Sequence, residues 1–267
     1  MNNRDIIVIG GSSGATTPLK AILSELPADL RAAVFIVLHI PARSLGILAT
    51  VASAASNLPV LAAEHGMQIQ PGHIYLAVPD HHLILKEGHM VLGRGPRENM
   101  ARPAIDPLFR SAAIAYGPRV IGVILSGMLN DGAAGLEAVK RCGGVAIVQN
   151  PNDAIAGEMP RSAIAAVEAD FIPAAPRIGD LLADIARETV GSRVPTPPEL
   201  QLEVDIAAGE RSNSEVILGL GDPAALTCPQ CGGGDEPGSR LKAVTLPLPG
   251  GARANSGRSG QGAGEHH

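Results

Sequence analysis

Aromatic side chains are scarce in this chain of 267 residues, where they make up 2% of the sequence, and tryptophan is absent. A surface that stacks nucleic-acid bases needs such rings, so base stacking is not expected. The formal net charge of −5 also provides no basic surface for a phosphate backbone. We therefore expect no nucleic-acid partner.

Cysteine is scarce as well, with only Cys142, Cys228 and Cys231 in the chain. Three clustered cysteines do not form a disulfide scaffold, so a reducing compartment is favoured. The N-terminus lacks the pattern of a signal peptide, and no apolar stretch reaches the roughly 18 residues that cross a membrane. The sequence predicts a cytoplasmic protein that does not insert into a membrane.

Aliphatic residues dominate what is present, since 45% of the chain is hydrophobic and aromatic rings contribute little to that share. Short runs of Ile, Val and Leu alternate with helical segments, a pattern typical of βαβ units. We predict an α/β fold with a doubly wound, mostly parallel sheet between helices, in three α/β/α layers. The predicted strands cover residues 6–9, 32–38, 58–63, 120–125 and 145–149, with a short one at 171–172. The predicted helices cover residues 16–25, 44–55, 107–116, 133–141, 159–167 and 179–189.

Two local features of this pattern are more specific. Residues 73–78 and 82–85 flank Pro79-Asp80-His81 and predict an antiparallel hairpin. A threonine before Pro18 is expected to cap the first helix.

The composition changes near Pro195, after which glycine and proline become frequent. This change predicts a folded domain over residues 1–193 and a largely flexible extension over residues 194–267. Within the extension, residues 215–220 could form a strand, and no fixed structure is expected beyond Pro237.

Cys228 and Cys231 form a Cys-x-x-Cys half of a zinc knuckle. A zinc site needs a second ligand pair, and the only later candidates are His266 and His267 at the terminus. A degenerate remnant is favoured over two chains that share one zinc ion. No metal or organic cofactor is expected.

Three polar residues, Ser12, His39 and Asp131, each follow the carboxyl end of an apolar strand. In a parallel sheet these ends share one edge, where ligands bind. A serine hydroxyl needs a base to take its proton, an imidazole is such a base near neutral pH, and a carboxylate orients the imidazole. The three positions therefore predict an acyl-transfer triad.

Each member also has a simpler interpretation. Residues 10–14 could be a phosphate loop, but the G-x-G-x-x-G spacing and a following Gly-Lys-Ser/Thr are both absent. His39 alone could be a core histidine, and Asp131 alone could be the N-cap of the helix that begins at Ala133. Only the coincidence of all three at strand ends favours the triad.

Six segments occur together in one order and spacing and resemble the catalytic domain of the bacterial chemotaxis protein-glutamate methylesterase, the CheB family, over about residues 5–190. They are Ile9-Gly10-Gly11-Ser12-Ser13-Gly14, Leu38-His39-Ile40-Pro41, Pro71-Gly72-His73-Ile74-Tyr75-Leu76-Ala77, Arg102-Pro103-Ala104-Ile105-Asp106-Pro107-Leu108-Phe109, Leu125-Ser126-Gly127-Met128-Leu129-Asn130-Asp131-Gly132-Ala133-Ala134-Gly135 and Met159-Pro160-Arg161-Ser162-Ala163-Ile164. Each segment alone would be weak, but the set is specific.

The resemblance implies Ser12 as nucleophile, His39 as general base and Asp131 as its orienting acid. It also implies that the main-chain amide of Met128 and the side chain of Ser13, usually a threonine in the family, hold the oxyanion. The implied substrates are γ-methyl esters of glutamate on the cytoplasmic helical bundles of chemoreceptors, and many members also deamidate receptor glutamines.

Two departures from the family pattern are visible. Ala101 stands where the family often has a histidine, and the chain begins at the catalytic strand, without the receiver domain that gates typical members. A stand-alone form would be ungated or gated by something else.

The alternative functions are an esterase or deamidase for another protein partner, and a catalytically idle signalling or scaffold domain. The oligomeric state stays open.

Overall fold

The computed structural model describes residues 3–210 and two short strands beyond them, β9 (Leu226–Thr227) and β10 (Gly234–Asp235), which pair antiparallel. The predictions for residues 215–220, for Cys228 and Cys231, for the chain beyond Pro237 and for the two terminal histidines lie outside the described residues.

A six-stranded sheet forms the centre of the molecule, and every strand pair in it is parallel. Its strands, in the spatial order β3-β4-β2-β1-β7-β8, are β3 (Val60–Ala62), β4 (Ile74–Leu76), β2 (Ala33–Leu38), β1 (Ile6–Gly11), β7 (Val120–Ile124) and β8 (Val145–Val148). The central strands β1, β2 and β7 are buried along their whole length, as expected for branched apolar runs covered on both faces.

Helices cover both faces of this sheet, which confirms the predicted three-layer, doubly wound α/β fold. The first apolar layer packs the sheet against α1 (Thr16–Glu25), α2 (Leu45–Ala55) and α6 (Ile178–Ile185). The second packs it against α3 (Ile105–Tyr116), α4 (Ala133–Arg141) and α5 (Glu158–Ala166). The order of strands reverses at β1, so the switch point of the sheet lies between β1 and β7.

The predicted hairpin between residues 73–78 and 82–85 is wrong. Strand β4 lies in the main sheet, parallel to β2 and β3, because Ile74, Tyr75 and Leu76 are all buried and need cover on both faces. The antiparallel pair is instead β5 (His82–Lys86) with β6 (His89–Gly93). These strands are joined at Gly88, whose φ of +79° suits the tight turn.

Two smaller predictions also change. Helix α1 has Ala15 at its N-cap and no side-chain cap, so the expected threonine cap is wrong. Residues 171–172 form no full strand, although Phe171 makes a single parallel bridge to Ile147 of β8. No helix among residues 3–210 is long and apolar enough to cross a membrane.

One helix was not predicted, α7 (Pro198–Ala208), which lies in the segment assigned to the flexible extension. It packs on α3, β5 and β6, and the Gly95 amide donates to the Ala207 carbonyl at 3.0 Å. Glu203 of α7 also pairs with the buried Arg110 of α3, with Nε and Oε2 3.0 Å apart. The structured part of the extension therefore includes α7, whereas the division at residue 193 stays a prediction.

Candidate active site

The carboxyl ends of β1, β2 and β7 bring Ser12 and His39 to one edge of the sheet. Gly11 lies opposite Leu38 in the parallel register, so the next residues of the two strands, Ser12 and His39, leave the sheet side by side. The His39 amide donates to the Gly11 carbonyl at 3.1 Å, and the Ser12 amide donates to the carbonyl of Ser126, beyond β7, at 2.9 Å. The site therefore lies at the switch point, where ligands bind in open α/β sheets.

The side chain of Ser126, which follows β7, holds the turn that carries Ser12 in place. The buried Ser126 hydroxyl donates to the Ser13 carbonyl at 2.7 Å and accepts from the Ala156 amide at 2.9 Å. Gly14 has a φ of +79°, and a Cβ there would lie 2.7 Å from Cβ of Ile155 and 2.8 Å from the Ser126 hydroxyl. Only glycine fits this corner, and the corner fixes the position of Ser12.

His39 and Asp131 are brought together, with Nε2 of the ring 2.8 Å from Oδ2 of the carboxylate. The separation is that of a hydrogen bond, but the ring N–H is not well aligned with the oxygen, so a small ring rotation is needed to form one. Such loose alignment is common in catalytic pairs without substrate. The imidazole is 21% exposed and the carboxylate 2%, so the pair lies between solvent and the interior.

The Asp131 carboxylate caps the N-terminus of α3. Its Oδ2 accepts from the Ile105 amide at 2.7 Å, and its Oδ1 accepts from the Asp106 amide at 3.1 Å and from Nδ2 of Asn99 at 2.8 Å. The alternative that Asp131 caps α4 is wrong, because Gly132 occupies that N-cap and no side chain bonds there. Asp131 therefore caps a helix far away in sequence while it faces His39.

Two opposing effects act on the pKa of Asp131. Burial favours the neutral acid, but the contact with His39 and the amide donors of Ile105 and Asp106 outweigh it and lower the pKa below the ordinary value. The side chain is therefore an anion at neutral pH, as an acid that orients an imidazole must be.

A second buried carboxylate, Asp106, lies beside Asp131 and was not assigned a role from the sequence. Its Oδ1 accepts from the Gly135 amide of α4 at 2.7 Å, and its Oδ2 accepts from Nδ2 of Asn99 at 2.9 Å. Burial, and then repulsion from Asp131, raises the pKa of Asp106 to about 8. Asp106 is thus largely protonated at neutral pH, so the cluster carries one negative charge rather than two.

The remaining predicted residues lie around the open side of the site. Ser13 is exposed, and the Met128 side chain is 56% exposed on the loop after β7. Among residues 3–210, the Ser12 hydroxyl and the Met128 amide make no hydrogen bond within the protein. Both groups are therefore free to meet a substrate, and the roles of Ser12, Ser13 and Met128 stay predictions.

Three polar side chains that hold the site together, those of Asn99, Asp106 and Ser126, were not singled out from the sequence. The latter two stand in segments that carry the family resemblance, but their side-chain partners are distant in sequence. Asn99 lies in a polar loop with no motif of its own. Within the described part of the chain, no cluster of His, Cys, Asp and Glu could hold a metal ion.

Comparison with known proteins bears on the family and the fold. The CheB methylesterase family model matches residues 7–182. The solved catalytic domain of the Thermotoga maritima CheB methylesterase is 34% identical, with a TM-score of 0.66, and the match covers 69% of this chain and 99% of that domain.

Two curated relatives carry names that give protein-glutamate methylesterase and protein-glutamine glutaminase activity. The protein of Leptospira interrogans is 38% identical over 72% of this chain and its own full length. The protein of Syntrophus aciditrophicus is 36% identical over 68% of this chain but only 52% of its own length. The chain thus spans the whole of one relative and about half of the other.

Proposed function

The chain belongs to the CheB methylesterase family, a family of hydrolases, and we propose that it removes methyl groups from glutamate γ-methyl esters on chemoreceptors or related signalling proteins through a Ser12-His39-Asp131 triad. The observation that carries this proposal is the short contact between His39 and the buried, ionised Asp131 at the strand end next to Ser12. Deamidation of glutamine side chains uses the same chemistry and is proposed as a second activity.

In the first step, the Ser12 hydroxyl oxygen attacks the ester carbonyl carbon while the imidazole of His39 takes the hydroxyl proton. Since Nε2 faces Asp131, the proton goes to Nδ1. Asp131 stabilises the imidazolium, which is the role of the third member of such a triad.

The carbonyl oxygen becomes negatively charged in this step and needs hydrogen-bond donors. The free amide of Met128 and the hydroxyl of Ser13 are the proposed donors, each worth up to roughly 3 kcal/mol of barrier. The intermediate collapses as His39 returns its proton to departing methanol. A water molecule, deprotonated by His39, then hydrolyses the acyl-enzyme to the free glutamate and restores Ser12.

A protein substrate, rather than a small ester, is supported by the apolar side chains around Ser12. Met128, Leu129 and Ile155 are 56%, 41% and 75% exposed, respectively, on the loops that flank the turn. Exposed apolar groups next to a reactive serine suit contact with a protein surface. We propose methylated cytoplasmic domains of chemoreceptors as the partner and the cytoplasm as the location.

The direct experiment incubates the full chain with receptor-bearing membranes that carry labelled methyl groups and measures released methanol. We expect release by the wild type and none above background by Ser12→Ala. Ser24→Ala is the matched control, because that hydroxyl is exposed on α1 and bonds only to the Ala21 carbonyl. Equal release by the wild type and Ser12→Ala would overturn the triad.

If no methanol is released, a fluorophosphonate probe, which reacts with activated serines, distinguishes the two alternative functions. Labelling of Ser12 without methanol release indicates an esterase or deamidase for another partner. Folded wild-type protein that is not labelled at all indicates a catalytically idle domain.

A further inference from the structure

Asn99 joins the two buried carboxylates of the site. Its Nδ2 donates to Oδ1 of Asp131 at 2.8 Å and to Oδ2 of Asp106 at 2.9 Å. Both hydrogens of one amide group are thus used to connect the acid that faces His39 with the acid behind it. Neither interaction links neighbours in sequence, so this bridge exists only in the folded protein.

The main chain at Asn99 is held in an unusual conformation to make this bridge. Asn99 and Met100 have φ values of +49° and +61°, in the left-handed region, which asparagine adopts more readily than methionine does. Two hydrogen bonds between Glu98 and Ala101 close the turn around them, at 3.2 and 2.8 Å. The Glu98 carboxylate pairs with Arg110 of α3, which fixes the turn to the helix that Asp131 caps.

The Asn99 side chain is poorly satisfied apart from this bridge. Its Oδ1 is buried and has no hydrogen-bond partner among the described residues. A buried carbonyl oxygen without a hydrogen-bond partner lowers the stability of the folded state. The polar contacts of the Asn99 side chain are thus made by its amide donors, and both are directed at the carboxylates of the site.

Each oxygen of Asp131 lies within hydrogen-bond distance of two nitrogen atoms in this arrangement. Oδ2 meets the Ile105 amide and the His39 ring, whereas Oδ1 meets the Asp106 amide and the Asn99 side chain. The main chain of α3 donates one amide to each oxygen of Asp131. Among the described residues, Asn99 and His39 are the only side chains that bring a further donor group to the carboxylate. Without Asn99, the Asp131 carboxylate is less restrained at the N-terminus of α3. It can then rotate so that Oδ2 no longer faces the His39 ring.

We propose that Asn99 is a positioning residue for the esterase reaction: its amide holds the Asp131 carboxylate, with Asp106 as the second anchor, so that Asp131 orients His39. This inference rests on the proposed triad. It assigns a function to the polar loop between β6 and α3, which carries no motif of the active site.

The test compares Asn99→Gly with Met100→Gly in the full chain. Glycine accepts the left-handed conformation at either position, so both variants can keep the turn and only the first removes the amide. The readouts are the rate at which a fluorophosphonate labels Ser12, the kcat and KM of methanol release, and urea unfolding.

We expect Asn99→Gly to lower kcat and the labelling rate by about 10–100-fold, the usual effect of losing a group that orients a catalytic ligand or base. KM should stay within about twofold, because Asn99 does not touch the substrate. Met100→Gly should be labelled at the wild-type rate. A second variant, Asn99→Asp, replaces the donor with a third carboxylate and should be slower still.

Three results are decisive. Equal labelling rates for folded Asn99→Gly and Met100→Gly contradict the inference and leave the triad intact. A fall in unfolding free energy with an unchanged labelling rate gives Asn99 a structural role only and also contradicts it. Failure of the wild type to be labelled at Ser12 contradicts the proposed function itself, and this is seen before any variant is compared.

Discussion

The two sides of His39 are built differently. On the Ser12 side, main-chain turns form the surface, and exposed apolar side chains, a free amide and free hydroxyls face solvent. On the Asp131 side, buried side chains and a helix N-terminus close the site, and Asp106 and Asp131 are only 5% and 1% exposed. The open side must admit a substrate, whereas the closed side must keep one charge in one place.

This difference predicts that changes on the open side affect activity without affecting stability, and that changes on the closed side affect both. The predictions that follow test this contrast, from the largest expected effect to the smallest.

Asp131→Ala and His39→Ala should both lower methanol release by about 10⁴-fold, as loss of a triad member does. Only Asp131→Ala should also lower the free energy of unfolding, by about 1–3 kcal/mol, because it removes the cap of α3 and leaves one hydrogen of the Asn99 amide unpaired. Urea unfolding monitored by circular dichroism checks this. An equal loss of stability in the two variants would remove the distinction between the sides.

Asp106→Asn should change how stability depends on pH. The folded-state pKa of about 8 lies above the ordinary value of 3.8, so the stabilisation is complete below about pH 4 and is lost as the pH rises through 8. The pKa of Asp131 is lowered, so this group does not contribute to the change of unfolding free energy with pH above pH 5.

The measurement is the free energy of unfolding at pH 5, 6 and 7 for wild type and variant. The difference between the two proteins should change by up to about 1.4 kcal/mol per pH unit over this range, which is the limit for one proton. Arg110, Glu98 and Asp131 face the group in both proteins, so their effects largely cancel in the difference. Parallel pH profiles would show that Asp106 is ionised in the folded state.

Gly95→Ala tests whether α7 supports the closed side. A Cβ at Gly95 would lie 2.2 Å from the Ile206 carbonyl, so α7 must move, at a cost of about 1–3 kcal/mol. The matched control is Gly46→Ala on α2, where a Cβ meets nothing within 4 Å and where the change should stabilise the helix slightly. Thermal unfolding of both variants is the measurement, and unchanged stability in Gly95→Ala would mean that α7 contributes little.

Ser13→Ala should give the smallest effect, about a tenfold loss of kcat, or 1.4 kcal/mol, with unchanged stability. The Ser13 hydroxyl is exposed and is one of two proposed donors to the oxyanion. In the variant, the Met128 amide still stabilises that negative charge, so the loss of kcat is limited. Steady-state methanol release is the measurement. A loss of stability in this variant would show that side chains on the Ser12 side also stabilise the fold.

How much the sequence could predict also differs between the two sides. Ser12 and His39 follow long apolar runs, and strand ends in a parallel sheet meet at one edge whatever the side chains around them. Asp131 could be placed by the same rule. The fold and the three triad positions are therefore visible in strand patterns and in the family resemblance.

The closed side could not be predicted because its contacts are between side chains far apart in sequence. Asn99 reaches Asp131 across 32 residues, and Asp106 is anchored by an amide 29 residues away. The role of Asp131 as cap of α3 rather than α4 depends on packing between two helices, which no local spacing reveals. Helix α7 was missed for a related reason, since the proline and glycine around it predicted a flexible segment, and its docking on α3 decided otherwise.

The most direct test of the account is stoichiometric fluorophosphonate labelling of the full chain, with the modified residue identified by peptide mass spectrometry. The account predicts one label per chain on Ser12, fast in the wild type, slowed by about 10⁴-fold in His39→Ala and in Asp131→Ala. Labelling at another serine, or labelling of Ser12 at the same rate in all three proteins, would contradict it.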